Sequence, residues 1–377
     1  MALLNVTDFD RAYYEENLKP FLPETFIDCH AHIWLEEFHK KQAWGTRSQL
    51  WPRLVARDNS LEDLEETNRL LFPENTVIPV IYGDPIVTID RPRNNRYVAD
   101  CAVKRNYPAL YLSHPTQSAE ELEREVLADP CFKGIKVYLQ FAPSYIPDDE
   151  IRIYDFLPKE HLAVCDKHGW VVQLHIARPK RLADPVNYYQ LLEIEQQFPN
   201  LQLLVAHLGR AYANEDVGAA LDYLKNTQKT VWDFTANTND WVIEKVLEYF
   251  GAERLIYGSD FPVFRMKARR VVENCFYINE VPEGISRWNP CRRTVICGKS
   301  TIPRQTVLPS LFMSRSMPAV WPVSGWALTR KMPKRSSTVT LQESLLLNKL
   351  SPCRIFPAGI FQQKLKKSLS FLSFSTV

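Results

Sequence analysis

Short runs of apolar residues recur along the chain, and several of them end at a polar residue. The runs are rich in Val, Ile, Leu and Tyr and lack the polar/apolar alternation of half-exposed strands. They therefore predict strands of a parallel sheet that is covered on both faces. Eight such segments can be followed, at residues 26–33, 76–83, 109–114, 133–139, 170–177, 202–209, 230–236 and 254–260.

Stretches with apolar residues at three- and four-residue spacing lie between these segments and predict helices. The clearest cover 61–71 and 119–127, and Ser60 and Ser118 precede them as predicted N-caps, each with an acidic residue three positions later. Eight β/α units in about 235 residues predict a (β/α)8 TIM barrel. A doubly wound sheet would collect its ligands at one switch point, whereas here five different strands carry them.

The residues at the ends of the apolar runs are the candidate chemistry of the chain. In a parallel barrel the carboxyl ends of the strands share one rim, so these residues converge in space. Imidazole and carboxylate groups suit a zinc- or manganese-type ion. His30 and His32, two residues apart on an extended strand, point to the same side and can bind one ion. The strand-end residues are His30, His32, Lys136, His175, His207 and Asp260.

The order of these motifs, from the Asp-x-His-x-His of the first strand to Gly-Ser-Asp-Phe-Pro after the last, resembles the amidohydrolase superfamily. The resemblance is to the amidohydrolase-related branch, which includes aminocarboxymuconate semialdehyde decarboxylase-like enzymes and several lactonases, and it covers residues 24–285. It implies a single divalent ion, usually zinc, with manganese as an alternative. The implied ligands are His30, His32, His175 and Asp260.

The same resemblance implies roles for two further residues. The histidine at the position of His207 does acid/base work in decarboxylase-like members and binds a second metal in other branches. The lysine at the position of Lys136 is carbamylated and bridges two ions in binuclear amidohydrolases, but mononuclear relatives carry it without bridging. We expect a mononuclear site with Asp260 and His207 as catalytic residues, and a binuclear site would make Lys136 a bridging ligand.

Three residues are candidates for substrate contact. Arg178 and Arg210 each follow a strand-end histidine by three residues, where a guanidinium could hold a substrate carboxylate or pair with acidic loop residues. Trp34 begins a long loop, 34–59, that is rich in Trp and basic residues and could be a lid or pocket wall, or could pack on the barrel. Asp233, on the seventh strand, is predicted to orient a ligand histidine.

The leading functional prediction is a metal-dependent hydrolase that uses activated water on a small-molecule ester, lactone or amide. A metal-dependent decarboxylase of an unsaturated or aromatic acid is the alternative on the same scaffold. A third hypothesis is a catalytically inactive barrel with a basic interaction tail. In the first two cases the partner is a small molecule, and a homodimer is expected from the resemblance.

The net charge of +2 conceals a division along the chain. Residues 287–377 contain 15 Lys and Arg and one acidic residue, so the rest of the chain has a net charge of −12. Such a barrel would repel nucleic acid. We predict an amidohydrolase-related barrel at 1–286 and a poorly ordered, basic Ser/Pro-rich tail at 287–377. The tail could bind acidic partners, or it could come from a shifted reading frame or retained non-coding sequence.

Neither a signal peptide nor a run of about 18 apolar residues is present, so no membrane association and a cytoplasmic location are expected. Eight cysteines are scattered without a C-x-x-C pair, and reduced thiols are expected in a chain of this size.

Overall fold

The computed structural model of the chain describes residues 4, 6–40 and 55–265 in full. Beyond them it describes the backbone of residues 266, 269–273, 276–281 and 294–296. The chain divides into two units, Met1–Pro322 and Val323–Val377, and the whole of the second lies outside the described residues. The predicted domain boundary at 286 lies outside the described residues, and of the predicted tail they include only residues 294–296.

Eight parallel strands form one sheet in which each strand pairs with its neighbour in sequence, so the predicted TIM barrel is confirmed. The observed strands begin within one residue of the predicted starts, but the later ones end up to four residues earlier than predicted. The strands are β1 (Thr25–His32), β2 (Thr76–Tyr82), β3 (Ala109–Leu112), β4 (Phe132–Tyr138), β5 (Val171–His175), β6 (Gln202–Val205), β7 (Val231–Asp233) and β8 (Leu255–Ile256).

Backbone hydrogen bonds join the last strand to the first and close the barrel. Because β8 has only two residues, the closing bonds continue beyond it. Cys29 N donates to the carbonyl of Tyr257 at 3.0 Å, and Asp260 N donates to the carbonyl of His30 at 2.8 Å. The segment that carries Asp260 is therefore fixed directly against the strand that carries the first two histidines.

Helices surround the barrel, and both predicted N-caps are present. Ser60 Oγ accepts from Asp63 N at 3.1 Å in a reciprocal capping box, and Ser118 Oγ accepts from Glu121 N at 3.1 Å. The helices are α1 (Asp8–Tyr13), α2 (Leu61–Leu71), α3 (Arg91–Arg105), α4 (Ala119–Leu127), α5 (Lys159–His168), α6 (Pro185–Gln197), α7 (Ala220–Leu224) and α8 (Asp240–Phe250).

The main apolar core lies between the barrel and its helices. Leu64 of α2 is fully buried against it, and Trp232 of β7 stacks on Phe250 of α8 with ring centroids 5.2 Å apart. Each fully buried side chain of this size contributes about 1.5–3 kcal/mol. The thiols within the described residues are buried and unpaired, as expected: Cys29, Cys101, Cys131 and Cys165.

A separate three-stranded sheet follows the barrel. It consists of β9 (Arg269–Glu273), β10 (Phe276–Val281) and β11 (Thr294–Ile296), with β10 antiparallel to β9 and parallel to β11. The last of these strands falls within the predicted tail, so regular backbone pairing extends past residue 286. Among the described helices, none combines the length and the apolar character that a membrane span requires.

Candidate metal centre

The strand-end histidines and Asp260 lie at the carboxyl ends of the barrel strands, as the sequence predicted. His30 and His32 are in the last three residues of β1, and His175 is the last residue of β5. His207 comes two residues after β6 and Asp260 four residues after β8. All five side chains are buried, with at most 7% of the residue surface exposed. These potential metal ligands are therefore largely shielded from water.

Asp260 is the residue around which the histidines assemble. His30, His207 and Asp260 offer ligand atoms that all lie within 4.8 Å of one another, and within the described part of the chain this is the one such group. A single carboxylate oxygen, Asp260 Oδ1, is 3.4 Å from His30 Nε2 and 3.5 Å from His32 Nε2. These distances leave room for an ion between the groups.

Two of the histidines assigned as ligands by resemblance stand beside this group of three. His32 lies close to Asp260, but it does not belong to the group of His30, His207 and Asp260, whose ligand atoms all lie within 4.8 Å of one another. The ring of His175 has its centroid 5.1 Å from that of His207. The geometry therefore gives His207, assigned to acid/base work, a more central place than His175.

Three of these histidines have Nδ1 within hydrogen-bond distance of an oxygen. A carbonyl oxygen can only accept, and Asp233 is held ionised by its donors, so we assign the hydrogen of each pair to the imidazole Nδ1. The amide Nε2 of Gln173 also lies 3.0 Å from Nδ1 of His30, and with this assignment its acceptor is Asp233 Oδ2 at 3.3 Å. In a neutral imidazole the lone pair is then on Nε2. The pairs are His30 with Asp233 Oδ2 at 3.0 Å, His32 with the Gly83 carbonyl at 3.0 Å, and His207 with the Thr235 carbonyl at 2.9 Å.

With this tautomer, the chemistry of the facing groups indicates whether a cation fits between them. The Nε2 lone pairs of His30 and His32 face one oxygen of a carboxylate, with no hydrogen between them, and such groups repel one another in a buried site. A divalent cation among them would convert the repulsion into coordination, and nitrogen with carboxylate oxygen is a donor set that suits zinc. The residues present fit a divalent metal ion.

Burial lowers the pKa of each histidine in the centre. The pKa of His207 falls to about 4, and the pKa values of His30, His32 and His175 are also lowered, chiefly by the same loss of water. For His175 the charge of Arg210 lowers the pKa further. All four imidazoles are therefore neutral near pH 7, which is the form that binds a metal.

Asp233 makes the hydrogen bond that its predicted orienting role requires. Besides His30 Nδ1, it accepts from the backbone N–H of His207 at 2.7 Å and from Gln173 Nε2 at 3.3 Å. Burial alone would raise the pKa of Asp233, but its contact with His30 and these donors outweigh it and hold the pKa below the usual range. Asp233 thus fixes the ring orientation of His30 and the backbone position of His207.

Gln173 is a residue that the sequence analysis missed. Its side chain is fully buried beside His30 and Asp233 and also lies 3.4 Å from the carbonyl of Cys29. The available signal was its position: in Val-Val-Gln-Leu-His it is the one polar residue inside an apolar strand, two residues before His175, and so on the same side of that strand.

Backbone strain is concentrated at this rim. The segment His207–Arg210, which begins two residues after β6, forms a left-handed turn, and Asp260 has φ 55°. Each non-glycine residue in this region costs about 1–2 kcal/mol, which persists where the surrounding structure fixes it. Among the described residues, all non-glycine residues with positive φ except the helix-capping Asn106 follow β5 to β8: Arg178, Arg181, His207, Leu208, Arg210, Ala236 and Asp260.

Lys136 lies inside the barrel with an ammonium that no described residue satisfies. It is fully buried, its Nζ is 5.1 Å from the ring centroid of Tyr82, and within the described residues Nζ has no hydrogen-bond partner. Burial lowers its pKa to about 8, although the charges of Asp233 and Asp260 act in the opposite direction. A bridging role for Lys136 stays a prediction.

The two arginines take up contacts with the protein. Arg178 Nε lies 2.9 Å from Asp184 Oδ2, which is the pairing with an acidic loop residue that the sequence left open. Arg210 Nη1 donates to the carbonyl of Ile176 at 3.3 Å. Both side chains remain partly exposed, and their binding of a substrate stays a prediction.

The contacts of Trp34 agree with the second of the two readings of its loop, and its role in substrate binding stays a prediction. Only 1% of Trp34 is exposed, and its indole N–H donates to the carbonyl of Arg57 at 2.9 Å. Its backbone also pairs with Asn59. Trp34 therefore packs against the barrel, as the alternative for this loop supposed. The remaining tryptophans of the loop, at 44 and 51, lie outside the described residues.

Comparison with known proteins supplies the family context. The family model described as Amidohydrolase matches residues 27–270. An L-fucono-1,5-lactonase from Burkholderia ambifaria is 22% identical over 262 residues, which is 64% of this chain and 81% of the lactonase. Among solved structures, a zinc-bound amidohydrolase from Burkholderia multivorans has 17% identity and a TM-score of 0.43 over 63% of this chain and 84% of that one. A 5-carboxyvanillate decarboxylase from Sphingomonas paucimobilis has 10% identity and a TM-score of 0.44 over 64% and 90%.

Proposed function

We propose that this chain, which belongs to the amidohydrolase family, is a metal-dependent hydrolase that opens a small-molecule lactone. The observation that carries the proposal is the buried group of His30, His207 and Asp260 at the barrel rim, with ligand atoms within 4.8 Å of one another. The orientation of the histidines supports it, because the Nδ1 atoms of His30, His32 and His207 lie against oxygen atoms. The Nε2 atoms of His30 and His32 face the carboxylate of Asp260.

The proposed ligands of a single divalent ion are His30, His32, His175 and Asp260, with His207 adjacent. Zinc is the proposed metal because nitrogen and carboxylate oxygen donors suit it and its catalytic sites keep one position for water or substrate, and manganese is the alternative. When bound, the ion would supply Lewis acidity that polarises a carbonyl and acidifies water. Lys136 is proposed to remain an amine in this mononuclear site.

Asp260 and His207 are proposed to move the proton. As the oxygen of water bonds to the carbonyl carbon, a carboxylate oxygen of Asp260 accepts the proton that water loses. The ring C–O bond then breaks, and Nε2 of His207 relays that proton to the departing oxygen. The carbonyl of Thr235 holds Nδ1 of His207 at 2.9 Å, so Nε2 is the nitrogen that is available for the relay.

The choice of a lactone, rather than a linear ester or an amide, rests on the similarity to the L-fucono-1,5-lactonase. Arg178 and Arg210 at the rim are proposed as contacts for the polar groups of the substrate. A cytoplasmic location and a homodimeric assembly stay predictions, as do a barrel domain at 1–286 and a basic tail.

The test is metal content together with product analysis on the full-length protein. We expect about one divalent ion per chain by elemental analysis and acid release from 1,5-lactones in a pH-stat assay. Asp260→Asn should lose at least about a hundredfold of the rate, since it removes both a ligand and a base. Asp222→Asn, at an exposed position on α7, is the matched control and should keep both properties.

Two results would overturn the proposal. Release of CO2 from an unsaturated or aromatic acid, without hydrolysis of any lactone, would assign the site to a decarboxylase. A folded protein that holds no divalent ion would support the inactive scaffold with a basic interaction tail.

A further inference from the structure

A pocket of about 270 Å³ opens at the same rim of the barrel, between the loops that follow β1 to β4. Five of its eight lining residues are apolar, among them Ile86, Val87 and Phe141. The other three are Lys40, Arg91 and His114, and none of the described residues that line the pocket is acidic. The pocket therefore combines an apolar wall with groups that can carry positive charge.

The three basic groups contribute unequally to the positive charge of the pocket. Lys40 Nζ lies 3.4 Å from the carboxylate of Asp90, which offsets its charge. Burial lowers the pKa of His114, and the charge of Arg91 lowers it further, so this imidazole is neutral near pH 7. Arg91 is the group whose charge is left to the pocket.

Arg91 lacks a carboxylate partner within the described part of the chain, where no carboxylate oxygen lies within 4 Å of its guanidinium. Its Nη1 donates to the hydroxyl of Tyr111 at 2.8 Å, and that hydroxyl contacts Glu125 in turn. One of the five N–H groups of the guanidinium is thus used, and the others are left. Burial lowers the pKa of Arg91, and the charges of Glu125 and Glu121, which act in the opposite direction, offset this loss of water only in part. An anion in the pocket would offset it.

One side chain links the pocket to the metal centre. The ring of Tyr138 has its centroid 4.4 Å from that of His175. Tyr138 also packs against the small apolar cluster that contains Ile86, Ile89 and Phe141 of the pocket wall. A ligand that occupied both places would therefore extend across Tyr138.

We propose that this pocket binds the carboxylate of an apolar ring compound, with Arg91 as its anchor. In the enzyme this carboxylate would be the end of the substrate that lies away from the bond being broken, an assignment that rests on the function proposed above. Binding in the pocket itself requires no metal. A guanidinium can bind a carboxylate through two parallel hydrogen bonds, and the apolar wall covers the ring to which the carboxylate is attached.

The test is isothermal titration calorimetry of the full-length protein with benzoate. Arg91→Gln should weaken benzoate binding by about 10- to 100-fold, which corresponds to the loss of one charge-assisted contact. Arg96→Gln, on the same helix but paired with Asp129 at 3.1 Å outside the pocket, should bind benzoate as the parent protein does. Benzamide, which has the same ring without the charge, should bind at least about tenfold more weakly than benzoate.

Repeating the titration after removal of metal by a chelator separates this pocket from the metal centre. We expect benzoate affinity to survive chelation, even if the protein proves to have no hydrolase activity. Affinity that disappears on chelation and is unchanged in Arg91→Gln would place the carboxylate on the metal and overturn the inference. Inorganic phosphate that bound as tightly as benzoate would show that the apolar wall plays no part, and absence of benzoate binding would overturn the inference outright.

A second variant tests the anchor independently, in case Arg91→Gln does not fold. Val87→Asp places a negative charge in the pocket wall and leaves the contact between Arg91 and Tyr111 intact. It should reduce benzoate affinity at least about tenfold through repulsion and occupation of the guanidinium. Unchanged affinity in this variant would contradict the proposed anchor.

Discussion

The carboxylate of Asp233 lies 3.0 Å from Nδ1 of His30, on the other ring nitrogen from the one that faces Asp260. One imidazole is therefore held between two carboxylates that have different tasks. Asp233 sets which nitrogen carries the hydrogen, and Asp260 shares the side where a cation fits. Because Asp233 also accepts from the backbone of His207, a single side chain orders two strands of the centre.

Asp233→Asn should weaken metal binding by about 10- to 100-fold, the usual loss when a residue behind a metal ligand is removed. An asparagine amide can present its own N–H groups to Nδ1 of His30, which would favour the wrong tautomer. Competition with a chromogenic chelator measures the metal affinity, and Asp222→Asn is the exposed control. Parent-like affinity in a folded Asp233→Asn protein would show that this hydrogen bond is only structural.

Lys136→Met should leave the fold intact and raise or preserve the melting temperature, because a buried ammonium without a described partner is costly. In the mononuclear site we propose, the variant should still hold about one divalent ion per chain. Differential scanning calorimetry and elemental analysis provide the two readings. A parent protein with two ions per chain, falling to one or none in the variant, would instead make Lys136 a bridging ligand.

The strand pattern of the barrel could be predicted from sequence because burial on both faces leaves a clear apolar run. The ends of β5 to β8 could not, because the backbone there turns into positive φ at residues such as His207 and Asp260, which no periodicity signals. The sequence left the role of Trp34 open, because a tryptophan in a rim loop has the same sequence signature whether it faces a ligand or the core.

The candidate ligands were predictable as a set, since parallel strand ends must converge. Their arrangement was not, because the approach of His207 to Asp260 depends on a left-handed turn, and the position of His175 on side-chain packing against Tyr138. Arg91 gave no signal at all. It is the first residue of a helix, and only the fold reveals that it lies in the wall of a pocket.

Gly258→Ala should destabilise the protein by roughly 3 kcal/mol or more, through overpacking beside the centre. A Cβ at this position would lie 2.2 Å from Thr235 Oγ1 and 2.5 Å from His30 Cβ. Denaturant unfolding measures the effect. Gly169→Ala is the matched control: its φ is +64° but the nearest atom, the carbonyl oxygen of Asn200, is 3.7 Å away.

For that control we expect a cost of only about 1–2 kcal/mol, from backbone strain alone. Equal losses in the two variants would mean that the contacts around Gly258 relax without penalty.

Benzoate affinity should be constant above pH 7 and increase only at pH values below the ordinary range of histidine. The pKa of His114 is lowered by burial, by Arg91 and by His161, so His114 gains its proton only as the pH falls below that range. Its added charge would then join that of Arg91. Calorimetry across this range checks the prediction, and affinity that fell between pH 7 and 8 would assign the anchoring charge to His114 instead of Arg91.

The short β8 and its hydrogen bonds to β1 also determine how the chain must fold. Seven of the eight strand pairings are between successive strands, but the eighth joins segments about 230 residues apart, and its loop-closure entropy is the largest in the barrel. The first histidines stand on one edge of this junction and Asp260 on the other. A cation bound by residues on both sides of this junction would hold the first and last strands of the barrel together. We therefore expect the amides of Cys29 and His32 to exchange hydrogen faster when the metal is removed, while those of β4 and β5 stay protected.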